Sequence, residues 1–116
     1  MNTEDKQNFI RWQARQNQSD PEGARIRWSR HGITELINEG WSRVLVEGAL
    51  QDSEVIEDYP AVHRALPDCL VLGWLATKEP LHAVIAIDEI NDRLFIVTVY
   101  KPSPEEWEND WQTRKK

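Results

Sequence analysis

Three apolar runs in the second half of the chain carry the clearest structural signal. Residues 70–76, 81–87 and 94–100 are rich in aliphatic and β-branched side chains, as β-strands are. Short polar turns at residues 77–80 and 88–92 separate them. Consecutive strands joined by short turns pair antiparallel, so the pattern predicts a β-meander. Because the runs are almost continuously apolar, we expect helices from both ends of the chain to cover the two sheet faces.

Shorter elements are predicted ahead of this meander. Residues 25–28 alternate polar and apolar positions like a short edge strand. Ser29 suits the N-cap of a helix that ends at Gly40, and Ser42 suits the N-cap of a second short helix. Residues 55–59 favour one more strand. The pattern therefore predicts an α+β fold in which short N-terminal helices pack on a three- to four-stranded antiparallel meander.

A C-terminal helix is predicted to begin after residue 103. Ser103 and Glu106 have the spacing of a capping box, and Pro104 suits the first helical position. Trp107 and Trp111 are four residues apart and would project from one face of such a helix. We expect this helix to dock on the domain and to bury Trp107.

The first 24 residues differ from the rest of the chain. Residues 3–18 favour a helix with one short apolar patch, and turn-forming residues follow at 16–23. We therefore expect residues 1–24 to form an N-terminal arm or helix and residues 25–116 to form a single α+β domain. The arm is either a partner-binding element or a solvated extension, and the sequence leaves both interpretations open.

Composition and charge narrow the class of protein. The chain has 116 residues, is 40% hydrophobic and carries a net charge of -6, which is typical of a globular domain and unfavourable for strong non-specific nucleic-acid binding. No apolar stretch reaches the length of a membrane helix, and the first residues are polar, so we expect a cytoplasmic protein without membrane association. Cys69 is the only cysteine, which excludes an intrachain disulfide.

Candidate chemistry lies in the polar residues that interrupt the meander. The sequence contains no nucleotide-binding or common hydrolase motif and no paired metal-ligand spacing, so we expect neither a cofactor nor a metal. Thr98 and Tyr100 share one face of the last strand because side chains alternate. If His82 pairs opposite Tyr100, all three share one surface, which His31 could join, whereas a one-residue slip separates them. The alternative is that His82 and Tyr100 are packed with satisfied hydrogen bonds.

Several motifs occur in an order that resembles the family called domain of unknown function 4258. They are Trp28-Ser29-Arg30-His31, residues 48–59, Leu70-Val71-Leu72-Gly73, Pro80-Leu81-His82-Ala83-Val84, Val97-Thr98-Val99-Tyr100-Lys101-Pro102 and Glu106-Trp107. The resemblance covers about residues 25–114. It implies the compact fold of RelE- and BrnT-like toxins, and with it a metal-independent, RNA-cleaving ancestry.

The resemblance also suggests a set of site residues. Metal-free RNA cleavage needs proton transfer and stabilisation of phosphorane charge. By position and residue type, the expected catalytic residues are His31, His82, Tyr100 and Thr98, and the expected substrate-binding cations are Arg30, Arg64 and Lys101. The chain has Glu35 and Glu39 where members of the family often carry arginine, which weakens attraction for phosphate.

Two functions of different classes therefore stay open. The first is a toxin-like cytoplasmic ribonuclease that acts on RNA, free or on the ribosome, and is held by an antitoxin. The second is a non-catalytic protein-interaction module on the same fold. A pocket in which His31, His82 and Tyr100 converge favours the enzyme, and three scattered, packed side chains favour the module. The sequence gives no indication of the oligomeric state.

Overall fold

A five-stranded mixed sheet with three α-helices forms the part of the chain that the structure describes. The structure is a computed structural model and describes residues 1–59 and 65–116. The elements are α1 (Thr3–Ser19), β1 (Ile26–Trp28), α2 (Arg30–Glu39), α3 (Arg43–Ala49), β2 (Glu54–Tyr59), β3 (Asp68–Trp74), β4 (Pro80–Asp88) and β5 (Arg93–Tyr100). The strand order is β1-β5-β4-β3-β2. The predicted α+β class is confirmed.

The meander of β3, β4 and β5 is antiparallel, as predicted, and β2 extends it on one side. The expectation of three or four antiparallel strands is wrong, because β1 adds a fifth strand that runs parallel to β5. Backbone bonds continue this pairing at both ends of β1, from the Ser29 amide to the Ile96 carbonyl and from the Leu94 amide to the Arg25 carbonyl. A three-residue strand carries no local signal for its partner or direction, which explains the difference.

The three helices pack on one face of the sheet. Ile10 and Ala14 of α1, Leu36 of α2 and Val46 of α3 share one buried cluster with inward side chains of β3, β4 and β5. The predicted caps are confirmed, since the Ser29 hydroxyl accepts from the Gly32 amide and the Ser42 hydroxyl accepts from the Leu45 amide.

Helix α2 lies very close to β5. A Cβ at Gly32 would lie only 2.8 Å from the Ile96 carbonyl oxygen, so this contact requires glycine.

Helix α1 is part of this core rather than a free segment. Asn2 and Asp5 form a capping box at its start. Ile10 and Ala14 are completely buried, and Lys6 forms an ion pair with Asp58 of β2. The predicted domain boundary at residue 24 and a partner-binding role for the arm stay predictions. None of the helices in residues 1–59 and 65–116 has the length and apolar character needed to cross a membrane.

The predicted C-terminal helix is wrong. Residues 101–116, called here the C-terminal segment, form turns and one isolated bridge between Trp107 and Arg114. The Asp110 carboxylate accepts hydrogen bonds from the amides of Gln112 and Thr113, and Trp111 has a φ of 60°, a combination that reverses the chain.

Contacts with the sheet stabilise the turns of the C-terminal segment, which take the place of the predicted helix. Trp107 packs against His82, and Arg114 forms a hydrogen bond with Glu57. Trp107 and Arg114, one on each side of the turn, therefore both contact the sheet. The expectation that helices cover both faces of the sheet is therefore also wrong, because this second face is covered in part by the C-terminal segment. We call it the open face.

Candidate functional site

The strand register brings three predicted site residues to the open face. His82 lies opposite Tyr100, and Val84 lies opposite Thr98, so His82, Thr98 and Tyr100 share this surface. This is the register on which the predicted shared surface depended. A β-bulge in β5 follows the Val84 pair, but it lies beyond both polar pairs and does not separate them.

His82 is completely buried, and both of its ring nitrogens are occupied. Its Nε2 lies 2.7 Å from the carbonyl oxygen of Trp111, and its Nδ1 lies 3.2 Å from the Tyr100 hydroxyl. A carbonyl can only accept, so Nε2 carries the hydrogen and Nδ1 accepts from the Tyr100 hydroxyl. Burial lowers the pKa of His82, although the bond to Trp111 opposes this effect. The ring is therefore neutral and has no nitrogen free for a substrate.

The neutral state of His82 predicts how the stability of the protein depends on pH. Because the folded-state pKa lies below the ordinary value of 6.5, the unfolded chain binds the proton first as the pH falls. This contribution to the free energy of unfolding is present above pH 6.5 and is lost as the pH falls toward the folded-state pKa. We expect chemical denaturation to show stability falling below pH 6.5, with a shallower fall in His82→Gln. An unchanged slope in His82→Gln would contradict this assignment.

A second polar group lies beside this pair on the same face. Two hydrogen bonds, of 2.6 and 3.1 Å, join the Arg114 guanidinium to the Glu57 carboxylate, and the Tyr59 hydroxyl donates to Glu57 over 2.7 Å. Arg114 also lies 4.7 Å from the centre of the Trp107 ring. We refer to Glu57, Tyr59, His82, Tyr100 and Arg114 as the open-face cluster.

The open-face cluster contains several shifted pKa values. The Arg114 hydrogen bond holds the pKa of Glu57 below its ordinary range, and the same bond raises the pKa of Arg114. Burial raises the pKa of both tyrosines, and the bond to Glu57 raises that of Tyr59 further. At neutral pH the group therefore contains an ionised carboxylate, a guanidinium and two protonated hydroxyls. Such concentrations of shifted pKa values are typical of functional sites.

Glu57 and Tyr59 were not among the predicted site residues. The sequence does indicate that Glu57 and Tyr59 share a face of β2, because residues two apart on a strand project from the same side. Adjacent Glu57 and Asp58 point in different directions: Asp58 instead bonds Lys6 and Thr3 of α1. The partner of Glu57, Arg114, is distant in sequence, and local patterns give no information about that contact.

The other predicted site residues lie elsewhere. Arg30 and His31 are exposed at the start of α2, and none of the hydrogen bonds or ring contacts among the described residues joins His31 to His82 or Tyr100. Lys101 is exposed and lies 3.4 Å from Glu79, and its amide donates to Glu39. Arg64 lies outside the described residues. The catalytic and substrate-binding roles of these residues stay predictions.

The described residues also bear on metal binding and on thiol chemistry. Within residues 1–59 and 65–116, no three His, Cys, Asp or Glu side chains are grouped so that they could hold a metal ion. Cys69 is buried in the core, and burial raises its pKa to about 12, so its thiol is protonated at neutral pH.

A family model described as "Domain of unknown function (DUF4258)" matches residues 28–101. The chain belongs to the DUF4258 family. No curated protein and no solved structure matches the chain. The predicted resemblance to this family is thus confirmed, and the description of the family assigns no activity.

The DUF4258 match contains part of the open-face cluster. Glu57, Tyr59, His82 and Tyr100 lie within residues 28–101, whereas Trp107 and Arg114 lie beyond them. The C-terminal segment therefore supplies the cation of the cluster and the aromatic ring that covers His82.

Proposed function

We propose that this DUF4258 protein is a RelE-like, metal-independent ribonuclease whose reaction centre is the open-face cluster. The observation that supports it is the Glu57–Arg114 pair, which places a carboxylate and a guanidinium together, with the Tyr59 hydroxyl bonded to the carboxylate and Tyr100 on the same face. Cleavage of RNA through its own 2′-hydroxyl requires a proton acceptor, a cation for phosphate and a hydrogen-bond donor for the leaving oxygen. The cluster contains one group of each type.

Glu57 is the proton acceptor in this proposal. Its lowered pKa keeps the carboxylate ionised at neutral pH, so it can take the proton of a ribose 2′-hydroxyl. The activated 2′-oxygen attacks the adjacent phosphorus, the bond from phosphorus to the 5′-oxygen breaks, and a 2′,3′-cyclic phosphate results. When phosphate competes for Arg114, Glu57 loses its main stabilising partner and becomes a stronger base.

Arg114 is the phosphate-binding cation. Its side chain is 55% exposed, and only two of its five N–H donors bond Glu57. The remaining donors can bind a phosphate oxygen and stabilise the charge of the phosphorane. Tyr59 or Tyr100 is, by residue type, the donor for the leaving 5′-oxygen, because raised pKa values keep both hydroxyls protonated. To donate to that oxygen, the Tyr59 hydroxyl turns away from Glu57, or the Tyr100 hydroxyl turns away from His82 Nδ1.

His82 has a positioning role in this proposal rather than the proton-transfer role expected from the sequence. Its Nδ1 fixes the direction of the Tyr100 hydroxyl, and its Nε2–H holds the backbone of the C-terminal segment at Trp111. A completely buried ring with no free nitrogen cannot reach a ribose or a leaving oxygen.

The proposed function predicts that purified wild-type protein cleaves unmodified single-stranded RNA in the presence of a metal chelator. The same sequence with 2′-O-methyl groups should stay intact, because it lacks the attacking hydroxyl. Gel analysis of both RNAs, free and in ribosome complexes, measures this. Absence of cleavage in all unmodified samples, or equal cleavage of the 2′-O-methyl RNA, would contradict the proposal.

A second candidate function is a non-catalytic interaction module that binds a protein such as an antitoxin. Exposed apolar side chains favour it: Val44 and Leu45 of α3 lie beside Trp74 at the end of β3, around a groove of about 370 Å³. Under this alternative, wild-type protein cleaves no RNA, and Trp74→Ser weakens partner capture without changing the thermal midpoint.

A further inference from the structure

An apolar groove lies on the open face beside the open-face cluster. It has a volume of about 360 Å³, and its lining is apolar except for Ser29 and the buried Asp68; the other lining residues are Ala65, Leu66, Ala86, Phe95 and Val97. Ala86 and Phe95 form a cross-strand pair between β4 and β5. Strands β4 and β5 therefore contribute residues to both the groove and the open-face cluster.

The distance between groove and cluster follows from the register. Ala86 is four residues along β4 from His82, which pairs with Tyr100. At roughly 3.4 Å per residue, the Phe95 pair lies about 14 Å from the Tyr100 pair. A single strand of RNA bound at the cluster can therefore reach the groove with a nucleotide further along the same strand.

Phe95 is an aromatic residue with arginine side chains beside it. It is half-buried, and the Arg93 guanidinium, which also forms an ion pair with Asp88 at 3.0 Å, lies 5.0 Å from its ring centre. Arg27 pairs with Phe95 across the parallel β1–β5 contact, so both project from the open face. Arg27 is exposed and forms none of the ion pairs found among residues 1–59 and 65–116. A ring with adjacent cations is the combination that binds a base together with its backbone phosphate.

We propose that this groove binds one unstacked base of single-stranded RNA, with the base stacked on Phe95 and its phosphate beside Arg27. The proposal rests on the proposed function and specifies its substrate class. A paired, stacked base in duplex RNA cannot enter such a groove, so the site selects single strands or loops.

Binding of a non-cleavable 2′-O-methyl oligonucleotide tests this proposal independently of activity. Fluorescence anisotropy is measured with the intact wild-type chain, Phe95→Leu and Phe95→Tyr. Leucine keeps the apolar contact but removes stacking, and tyrosine keeps stacking. We expect Phe95→Leu to weaken binding roughly 5- to 150-fold and Phe95→Tyr to bind like wild type. Circular dichroism and the thermal midpoint confirm that each variant folds.

Oligonucleotides with one abasic position complete the test. For the wild-type protein, removing the base at one position should lower affinity by the same factor as Phe95→Leu lowers affinity for the complete oligonucleotide. The Phe95→Leu protein should bind that abasic oligonucleotide and the complete one equally well. Equal binding by wild type and Phe95→Leu, equal binding of duplex RNA, or no oligonucleotide binding at all would overturn the proposal. A change in self-association without a change in RNA affinity would also overturn it and identify a protein-docking surface.

The two proposals fail in different ways. Phe95-dependent binding without cleavage of unmodified RNA would contradict the ribonuclease reaction and support the base site. Cleavage with binding that is insensitive to Phe95 would contradict the base site alone.

Discussion

Glu57→Gln is expected to slow RNA cleavage by roughly two to four orders of magnitude, which is the usual contribution of a proton-transfer group. Glutamine keeps the shape of the side chain, and its single amide oxygen can still accept from Tyr59 and from one Arg114 nitrogen, while the second Arg114 bond is lost. Circular dichroism checks that the variant keeps its fold. It cannot take a proton from a ribose 2′-hydroxyl. Single-turnover cleavage rates with saturating protein measure the effect on the chemical step.

Glu54→Gln is the matched control for Glu57→Gln. Glu54 lies on the same strand, is exposed and contacts Gln112 of the C-terminal segment at 3.3 Å. The Glu54→Gln protein should cleave RNA at the wild-type rate. A Glu57→Gln protein that cleaves as fast as this control would exclude Glu57 as the proton acceptor.

Trp107→Ala is expected to lower the free energy of unfolding by about 3 to 5 kcal/mol, as truncation of a fully buried large aromatic side chain does. Trp107 is only 2% exposed, and its ring meets His82 edge-on with 4.4 Å between centres. Its removal leaves a cavity above a buried imidazole and loosens the C-terminal segment. Urea denaturation at pH 7 measures the change.

Trp111→Ala is the control for this prediction. The contact of Trp111 with His82 is made by the backbone carbonyl, which alanine keeps, and its indole is only partly buried. We expect a much smaller loss of stability than in Trp107→Ala. If both variants unfold at the wild-type urea midpoint, the C-terminal segment is not docked on the open face.

The parts of the fold that were predictable from sequence are those with local causes. The meander follows from three apolar runs and their turns, and α2 follows from Ser29 at its start and Gly40 at its end. The direction of β1 depends on a partner about 70 residues away and has no local signal. The capping-box pattern at Ser103 failed because contacts of Trp107 and Arg114 with the sheet outweigh a weak local preference.

The candidate site was predictable to a similar extent. Alternation along β5 placed Thr98 and Tyr100 on one face, and the register added His82. Trp107 covers His82, and the Trp111 carbonyl accepts a hydrogen bond from its ring. Both residues are distant in sequence, so the strand pattern could not indicate that no ring nitrogen of His82 is free. Glu57 acquires its shifted pKa from Arg114, 57 residues away, and its importance emerges only from that contact.

The most direct test of the central claim is mass spectrometry of the RNA ends formed by wild-type protein in the presence of a chelator. A reaction centre that uses the ribose 2′-hydroxyl predicts products with 2′,3′-cyclic phosphate and 5′-hydroxyl ends, and Glu57→Gln should yield almost none of them. Products with 3′-hydroxyl and 5′-phosphate ends, or cyclic phosphates formed equally by Glu57→Gln, would contradict it.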